Sequence, residues 1–323
     1  MGLLDGRIAL ITGAGRGIGR EHALAFARAG AAVVVNDTGT EPDGTGRDTG
    51  VAASVAAEIT AQGGRAVAST DSVADPDGAR RIVDTAVSAF GDLHVVVNNA
   101  AILRNAPLLE MSDDDFSAVL DVHLAGTFHV TRAAGRYWRD RAAAGAAQDR
   151  SVINTSSGSG LFTPLPTQAN YAAAKAGIAA LTSVAALELR RHGVRVNCYA
   201  PSAHRTRLTQ GVPGMDRPRG AGGRDPYDPA ASSPLLVWLA AADCPLTGQV
   251  LRVRDRSIGV AATWRVQDEV AREEPWTPED LGAALARLDL PDPEADLMRA
   301  LGTLDDSDAA RAAFRARLDG TAG

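Results

Sequence analysis

Lysine is almost missing from this chain. Of its 33 basic Lys and Arg residues only Lys175 is a lysine. An ammonium group differs from a guanidinium in shape, in hydration and in how readily its pKa shifts. A lysine kept under such a preference for arginine is expected to do something arginine cannot. Cysteine is scarce too: Cys198 and Cys244 share no metal-binding or redox spacing. No metal site or disulfide framework is expected, and the two thiols read as buried small apolar groups in a reducing compartment. No run of like charge occurs, and the formal net charge is −6, which argues against a nucleic-acid partner. No apolar run approaches the roughly 20 residues of a membrane span. Asp5 and Arg7 follow the first methionine too closely for the apolar part of a secretory leader. A cytoplasmic enzyme that touches neither membrane nor nucleic acid is the resulting expectation. The 45% hydrophobic content of its 323 residues supplies a sizeable core.

Short β-branched runs alternate with alanine-rich helical stretches over about the first 250 residues. Strands are expected at Ile8–Thr12, Ala32–Asn36, Ala66–Ser69, His94–Val97, Val152–Thr155, Arg195–Tyr199 and Gln249–Val253. Their near-continuous apolar character suits strands covered on both faces. Helices are expected at Ile18–Ala29, Val51–Gln62, Pro76–Phe90, Asp113–Trp138 and Ala172–Arg190. This alternation predicts an α/β fold, a doubly wound seven-stranded parallel sheet of the Rossmann type, over residues 1–258. Thr38–Gly50 and Gly145–Arg150 read as loops, and His204–Pro229 as a lid or insert. Residues 259–323 read as a short helical C-terminal extension, in which Thr277-Pro278-Glu279-Asp280 opens a helix.

The first strand runs into Thr12-Gly13-Ala14-Gly15-Arg16-Gly17-Ile18-Gly19, directly before a helix. Glycines let backbone approach a pyrophosphate, and the helix N-terminus offers free N–H groups to it. Ile18 stands where the last glycine of G-x-G-x-x-G would fall, so the pattern is T-G-x-x-x-G-x-G. Asp37, closing the second strand, could accept the adenine ribose hydroxyls and repel a 2′-phosphate, which favours NAD. Arg16 cuts the other way and keeps NADP as the alternative. Asp71 could meet the adenine amino group, though turn chemistry explains it nearly as well.

Tyr171 and Lys175 are four residues apart at the start of a predicted helix, hence on one face. A phenol with an ordinary pKa near 10 is a poor base at neutral pH. A neighbouring ammonium group is expected to pull that value down.

TGAGRGIG (12–19), NNA (98–100), the serine cluster 156–159 and YAAAK (171–175) follow one another at a familiar spacing. Over roughly residues 5–255 the chain resembles the short-chain dehydrogenase/reductase family. VVVND (33–37), VVVNNAAILR (95–104), VHLAGTFHVTRAA (122–134) and QANYAAAKAG (168–177) make it most similar to the hydroxyacyl-CoA dehydrogenase part of multifunctional enzyme type 2 and its bacterial relatives. The resemblance implies that Tyr171 exchanges the hydroxyl proton, Lys175 activates it and holds the nicotinamide ribose, and Ser157 positions the substrate oxygen. It implies cofactor contacts from Thr12, Gly13, Arg16, Gly17, Ile18, Gly19, Asp37, Asp71 and Ser72. Asn98, Ala100, Tyr171, Lys175 and Pro201 complete that set.

Four departures stand out. Ser157 precedes Tyr171 by fourteen residues, one more than the family pattern, which places an insertion in Thr163–Thr167 and leaves Ser156 and Ser159 as rivals. His123 replaces the relay asparagine of the family and reads equally as a relay or as a packed histidine. Ala101 replaces a glycine, and Pro201-Ser202 replaces Pro-Gly. The implied reaction is oxidation of a secondary alcohol with NAD, the substrate a 3-hydroxyacyl thioester or a related hydroxy compound. Arg205, Arg207, Arg217, Arg219 and Arg224 could meet an anionic carrier; a solvated loop explains them as well. An NADPH-dependent 3-oxoacyl or natural-product ketoreductase is the alternative. A non-catalytic dinucleotide-sensing module is a third reading. A homo-dimer or homo-tetramer, joined through the long helices, is expected.

Overall fold

The computed structural model describes residues 2–210, 225–262, 268–273 and 275–288, with residues 293, 297 and 312. Its eight strands are β1 (Ile8–Thr12), β2 (Ala32–Asn36), β3 (Arg65–Ser69), β4 (Val95–Asn98), β5 (Arg150–Thr155), β6 (Val194–Pro201), β7 (Val250–Arg254) and β8 (Ser257–Val260). They lie in the order β3-β2-β1-β4-β5-β6-β7-β8. Neighbouring pairs from β3 to β7 run parallel, as their apolar runs predict. Side chains alternate across the sheet. Ala9, Ile11, Val33, Val35, Val95 and Val97 face α1 (Gly17–Arg28), α2 (Gly50–Ala61) and α8 (Ser233–Ala240). Ile8, Leu10, Val34, Val96 and Val152 face α3 (Pro76–Phe90), α5 (Gly126–Ala143) and α7 (Ala169–Leu189), which follows the single turn α6 (Gly158–Leu161), with Trp138 buried among them. The strand order reverses beside β1, between β2 and β4, which opens a crevice at the carboxyl ends. Register brings Thr12, Asn36, Asn98 and Thr155 to that edge.

The sheet has eight strands rather than seven. β8 pairs antiparallel with β7 through a two-residue turn, in which Asp255 adopts φ +50°. All four β8 residues are exposed, so its hydropathy carries no strand signal; the turn and an open sheet edge create the pairing. β8 also straddles the expected boundary at residue 258. The predicted helix Asp113–Trp138 is α4 (Asp113–Leu120), a π-helical turn (Asp121–Ala125) and α5, which continues to Ala143. Capping sets the other ends: Asp75 accepts from Asp77 and Gly78 N–H to start α3, and Gly91 at φ +88° stops it. Thr277 caps α9 (Pro278–Leu285) through the Asp280 N–H, as its sequence predicts. Among the described residues one helical stretch, Ala169–His192, passes for a membrane span by length and composition alone, although Lys175 and Glu188 interrupt its apolar run. It packs on β5 and β6 and carries the tyrosine–lysine pair.

Candidate active site

The glycine turn is shaped by contact. A Cβ on Gly13, which adopts φ +62°, would stand 2.7 Å from the Ala100 Cα, and one on Gly19 would stand 2.1 Å from the Gly13 carbonyl oxygen. Neither space admits a side chain. Thr12 Oγ1 accepts from the N–H groups of Asn99 (3.0 Å) and Ala100 (3.1 Å). Asn99 Nδ2 donates to the carbonyls of Thr12 (3.0 Å) and Gly13 (3.1 Å). Asn99 thus pins the turn to the end of β4. This residue is not among the contacts the resemblance implied, although it is part of the NN pair. Asn98 points inward instead, donating to Thr131 Oγ1 and Asn154 Oδ1. It braces β4 against β5 and α5.

Helix α1 starts without a side-chain cap, and its first residues Gly17, Ile18 and Gly19 line the cleft. That cleft measures about 540 Å³ and runs from Gly17, Ile18 and Asp37 past Ala100 to Tyr171, Lys175 and Pro201. Asp37 lies against the turn: its carboxylate accepts from the N–H of Gly15 (2.9 Å) and of Gly39 (2.7 Å). Each oxygen keeps a lone pair for a further donor. Arg16 Nη1 donates to the Thr40 carbonyl at 3.1 Å. The Asp71 carboxylate is held by Arg81 at 2.7 Å, while its carbonyl accepts from Asn36 Nδ2. Ser72 caps its own turn by accepting from Ala74 N–H, and both residues line the cleft. A cradle closed to Cβ atoms, an uncapped helix start and a carboxylate at the strand end together fit a dinucleotide.

At the other end of the cleft, Tyr171 and Lys175 project from the first turns of α7. Lys175 Nζ donates to the Thr155 carbonyl (2.7 Å) and lies 5.5 Å from the centre of the Tyr171 ring. The Ser157 side chain lies close enough to the Tyr171 hydroxyl to act on its pKa. Of its rivals, Ser156 lines the cleft but its Oγ donates to the Lys175 carbonyl, while Ser159 gives its backbone N–H to Ser157 Oγ. Burial raises the Tyr171 phenol above its ordinary value, and the Ser157 hydrogen bond opposes this only in part. Burial also lowers Lys175 to about 8. The expected lowering of the phenol by the ammonium is not what the structure gives: burial dominates the phenol, as it does the lysine.

The π-helical turn, which often marks functional positions, turns His123 inward. Its ring meets the Tyr171 ring edge-on at 5.3 Å. Nε2 lies 2.8 Å from the Ile102 carbonyl oxygen and 3.0 Å from the Ile102 nitrogen, while Nδ1 has no protein partner. Burial, and then the Lys175 charge, hold this histidine well below its usual pKa, hence neutral.

Comparison with known proteins decides the family. The short chain dehydrogenase model matches residues 7–216. This chain belongs to the short-chain dehydrogenase family. It is 40% identical over 286 residues to the hydroxyacyl-CoA dehydrogenase ChsB1 of Mycobacterium tuberculosis, covering 87% of this chain and 88% of that one. It is 39% identical over 277 residues to mouse peroxisomal multifunctional enzyme type 2, covering 85% of this chain. The match spans about a third, 35%, of that much longer mouse protein. A crystal structure of a short chain dehydrogenase from Mycobacterium avium superposes with a TM-score of 0.79 at 46% identity, over 88% of this chain and 95% of that one. The protein is thus an oxidoreductase, not the sensing module left open by its sequence. Short-chain dehydrogenases bind NAD or NADP.

The departures from the short-chain dehydrogenase pattern have local accounts. Thr163–Thr167, where an insertion was expected, is a loop in which exposed Thr167 adopts φ +70°, a conformation β-branched residues rarely take. Ala101 lines the cleft, and Ser202 N–H donates to the Val253 carbonyl, continuing the β6–β7 ladder. Of the five arginines expected to face a carrier, Arg205 pairs with Asp225 and Arg207 with Glu41. Arg217, Arg219 and Arg224 lie outside the described residues. Both cysteines are buried and unpaired.

Proposed function

We propose that this enzyme interconverts a secondary alcohol and its ketone with NAD(H), the alcohol being a 3-hydroxyacyl thioester or a close chemical relative. One observation carries the reading: Tyr171 and the buried Lys175 line a cleft whose far end presents the Asp37 carboxylate, with Ser157 beside the phenol. Relatives named as hydroxyacyl-CoA dehydrogenases support the substrate class.

Oxidation must remove the hydroxyl proton and one hydrogen of the carbinol carbon. A nicotinamide held in the cleft would supply the hydride acceptor for that hydrogen, and the hydride donor in the reverse direction. Ser157 holds the substrate oxygen against the Tyr171 hydroxyl. Tyr171 then takes the proton as phenolate, or donates it as phenol in reduction. Lys175, fixed by the Thr155 carbonyl, places positive charge beside the phenolate. His123, neutral and packed on the ring, sets the tyrosine's orientation.

Because burial keeps the phenol protonated at neutral pH, reduction has its acid ready. Oxidation requires the phenolate, so its rate should climb as pH rises, whereas reduction should hold level or fall. The two rates measured across pH 6–10 check this. Arg16 favours a second reading, an NADPH-dependent 3-oxoacyl reductase. Turnover of 3-oxoacyl-CoA with NADH and NADPH, in wild type and in Tyr171→Phe, tests both. NADH should be preferred, and the variant should lose about 10²–10⁴ in rate while still binding NADH. A preference for NADPH would favour the alternative, and an active variant would remove the mechanism.

A further inference from the structure

The loop from Thr38 to Thr49, between β2 and α2, is fastened to several other segments. Arg16 reaches the Thr40 carbonyl, and Arg207 Nη1 meets Glu41 Oε2 at 3.2 Å while its Nη2 donates to the Thr40 carbonyl at 3.3 Å. On the opposite side Leu103 N–H donates to the Pro42 carbonyl (2.8 Å), and Arg104 Nε donates to the Asp43 carbonyl (2.7 Å). Gly44 adopts φ +89° and sits so near Ile102 that a Cβ would stand 3.1 Å from its Cδ1. Gly39, Gly44 and Gly46 all hold positive φ, so an unfastened loop of this composition would have many conformations to visit. Thr40, Glu41, Pro42 and Gly44 line the same cleft as the glycine turn and Tyr171.

Arg104 does more than hold the loop. Its Nη1 lies 3.3 Å from Asp115 Oδ1, and its own carbonyl accepts from Asn170 Nδ2 at 2.9 Å. Asn170 is buried, immediately precedes Tyr171, and its Oδ1 accepts the Tyr171 N–H at 2.7 Å. One arginine thus joins the loop at the cleft mouth to the residue that starts the catalytic turn.

The geometry points to Arg104 as a positioning residue: it clasps the 38–49 loop along the dinucleotide cleft and sets how slowly the cofactor leaves. This rests on the dinucleotide reading of the cleft. The acceptor on the loop is a backbone carbonyl, so the interaction is lost only by changing Arg104. The planar fork serves the Asp43 carbonyl and the Asp115 carboxylate together, whereas a lysine could serve one of them.

Stopped-flow displacement of NADH, read by its fluorescence, tests this in wild type, Arg104→Met and Arg104→Lys, with amide exchange over residues 38–49 measured alongside. Dissociation should quicken about tenfold in Arg104→Met, with association changed less. Arg104→Lys should fall between, and amides of the loop should lose protection in step. Unchanged dissociation in Arg104→Met, with or without a lower melting temperature, would make the arginine structural and overturn the inference while leaving the dinucleotide reading intact. Should Arg104→Met fail to fold, Arg104→Lys decides: a wild-type dissociation rate there overturns the inference. Wild type that binds neither NADH nor NADPH would sink the dinucleotide reading itself, and this inference with it.

Discussion

Lys175 sits where an ammonium group is costly. Its side chain is buried with one hydrogen bond, to the Thr155 carbonyl, and its pKa falls from 10.5 to about 8. That shift corresponds to about 3 kcal/mol against the folded state at neutral pH. Between about pH 8 and 10.5 the unfolded chain holds a proton that the folded chain has released, so stability rises with pH across that window. Lys175→Met removes the penalty but leaves the Thr155 carbonyl without this donor, a cost of about 1–3 kcal/mol. The variant should be as stable as wild type or about 1 kcal/mol more so at pH 7, with the difference moving toward wild type by pH 10. Turnover should fall at least about 100-fold. Denaturant melts at the two pH values check the first claim and a rate assay the second. The pair was legible in the sequence because a spacing of four fixes a shared helix face and because lysine occurs once. The direction of the phenol's shift was not legible, since it depends on burial that no spacing encodes.

At the scale of elements, the parallel strands were legible wherever valine and isoleucine run uninterrupted, and α3 wherever Asp75, Pro76 and Gly91 mark its ends. The π-helical turn was not, because one extra residue in a helix leaves apolar spacing almost unchanged. Nor was the buried link between α1, β6 and α8. His22 Nε2 lies 2.9 Å from the Tyr199 hydroxyl and Nδ1 lies 2.9 Å from Ser233 Oγ. These partners are far apart in the chain, and no local pattern joins them. Burial, with His204 adding to it, lowers His22 to about 3. Between pH 6.5 and 3 the unfolded chain binds a proton that the folded one refuses, so stability is lost as pH falls through that window. His22→Gln should cost about 1–2 kcal/mol at pH 7 through weakened hydrogen bonds. Having no such titration, it should then lose less on acidification, and the two stability curves should meet near pH 5. Urea midpoints from pH 7 to 4 check this; curves that stay parallel would mean that His22 carries no proton penalty.

For the whole molecule, the apolar surface left over on α5 and α7 argues for a partner. Leu187 is 79% exposed, Val184 53% and Phe128 41%. Both helices lie on the same face of the sheet as α3, and α7 carries the catalytic pair on its opening turns. Large apolar side chains exposed on two neighbouring helices are unusual on a lone domain and common at self-complementary interfaces. A second copy meeting this surface would bury the outward side of α7, leaving its inner side to hold Tyr171 and Lys175 against β5 and β6. It would also answer why a helix apolar enough to pass for a membrane span remains partly uncovered. Replacing Leu187 with Glu and Phe128 with Ser puts charge and polarity into that contact without touching the cleft. Sedimentation velocity should show wild type as a dimer or tetramer and the double variant as a smaller species, with a melting temperature that no longer rises with protein concentration. A double variant that sediments like wild type would move the interface elsewhere on the surface, and a monomeric wild type would leave these helices without the partner argued for here.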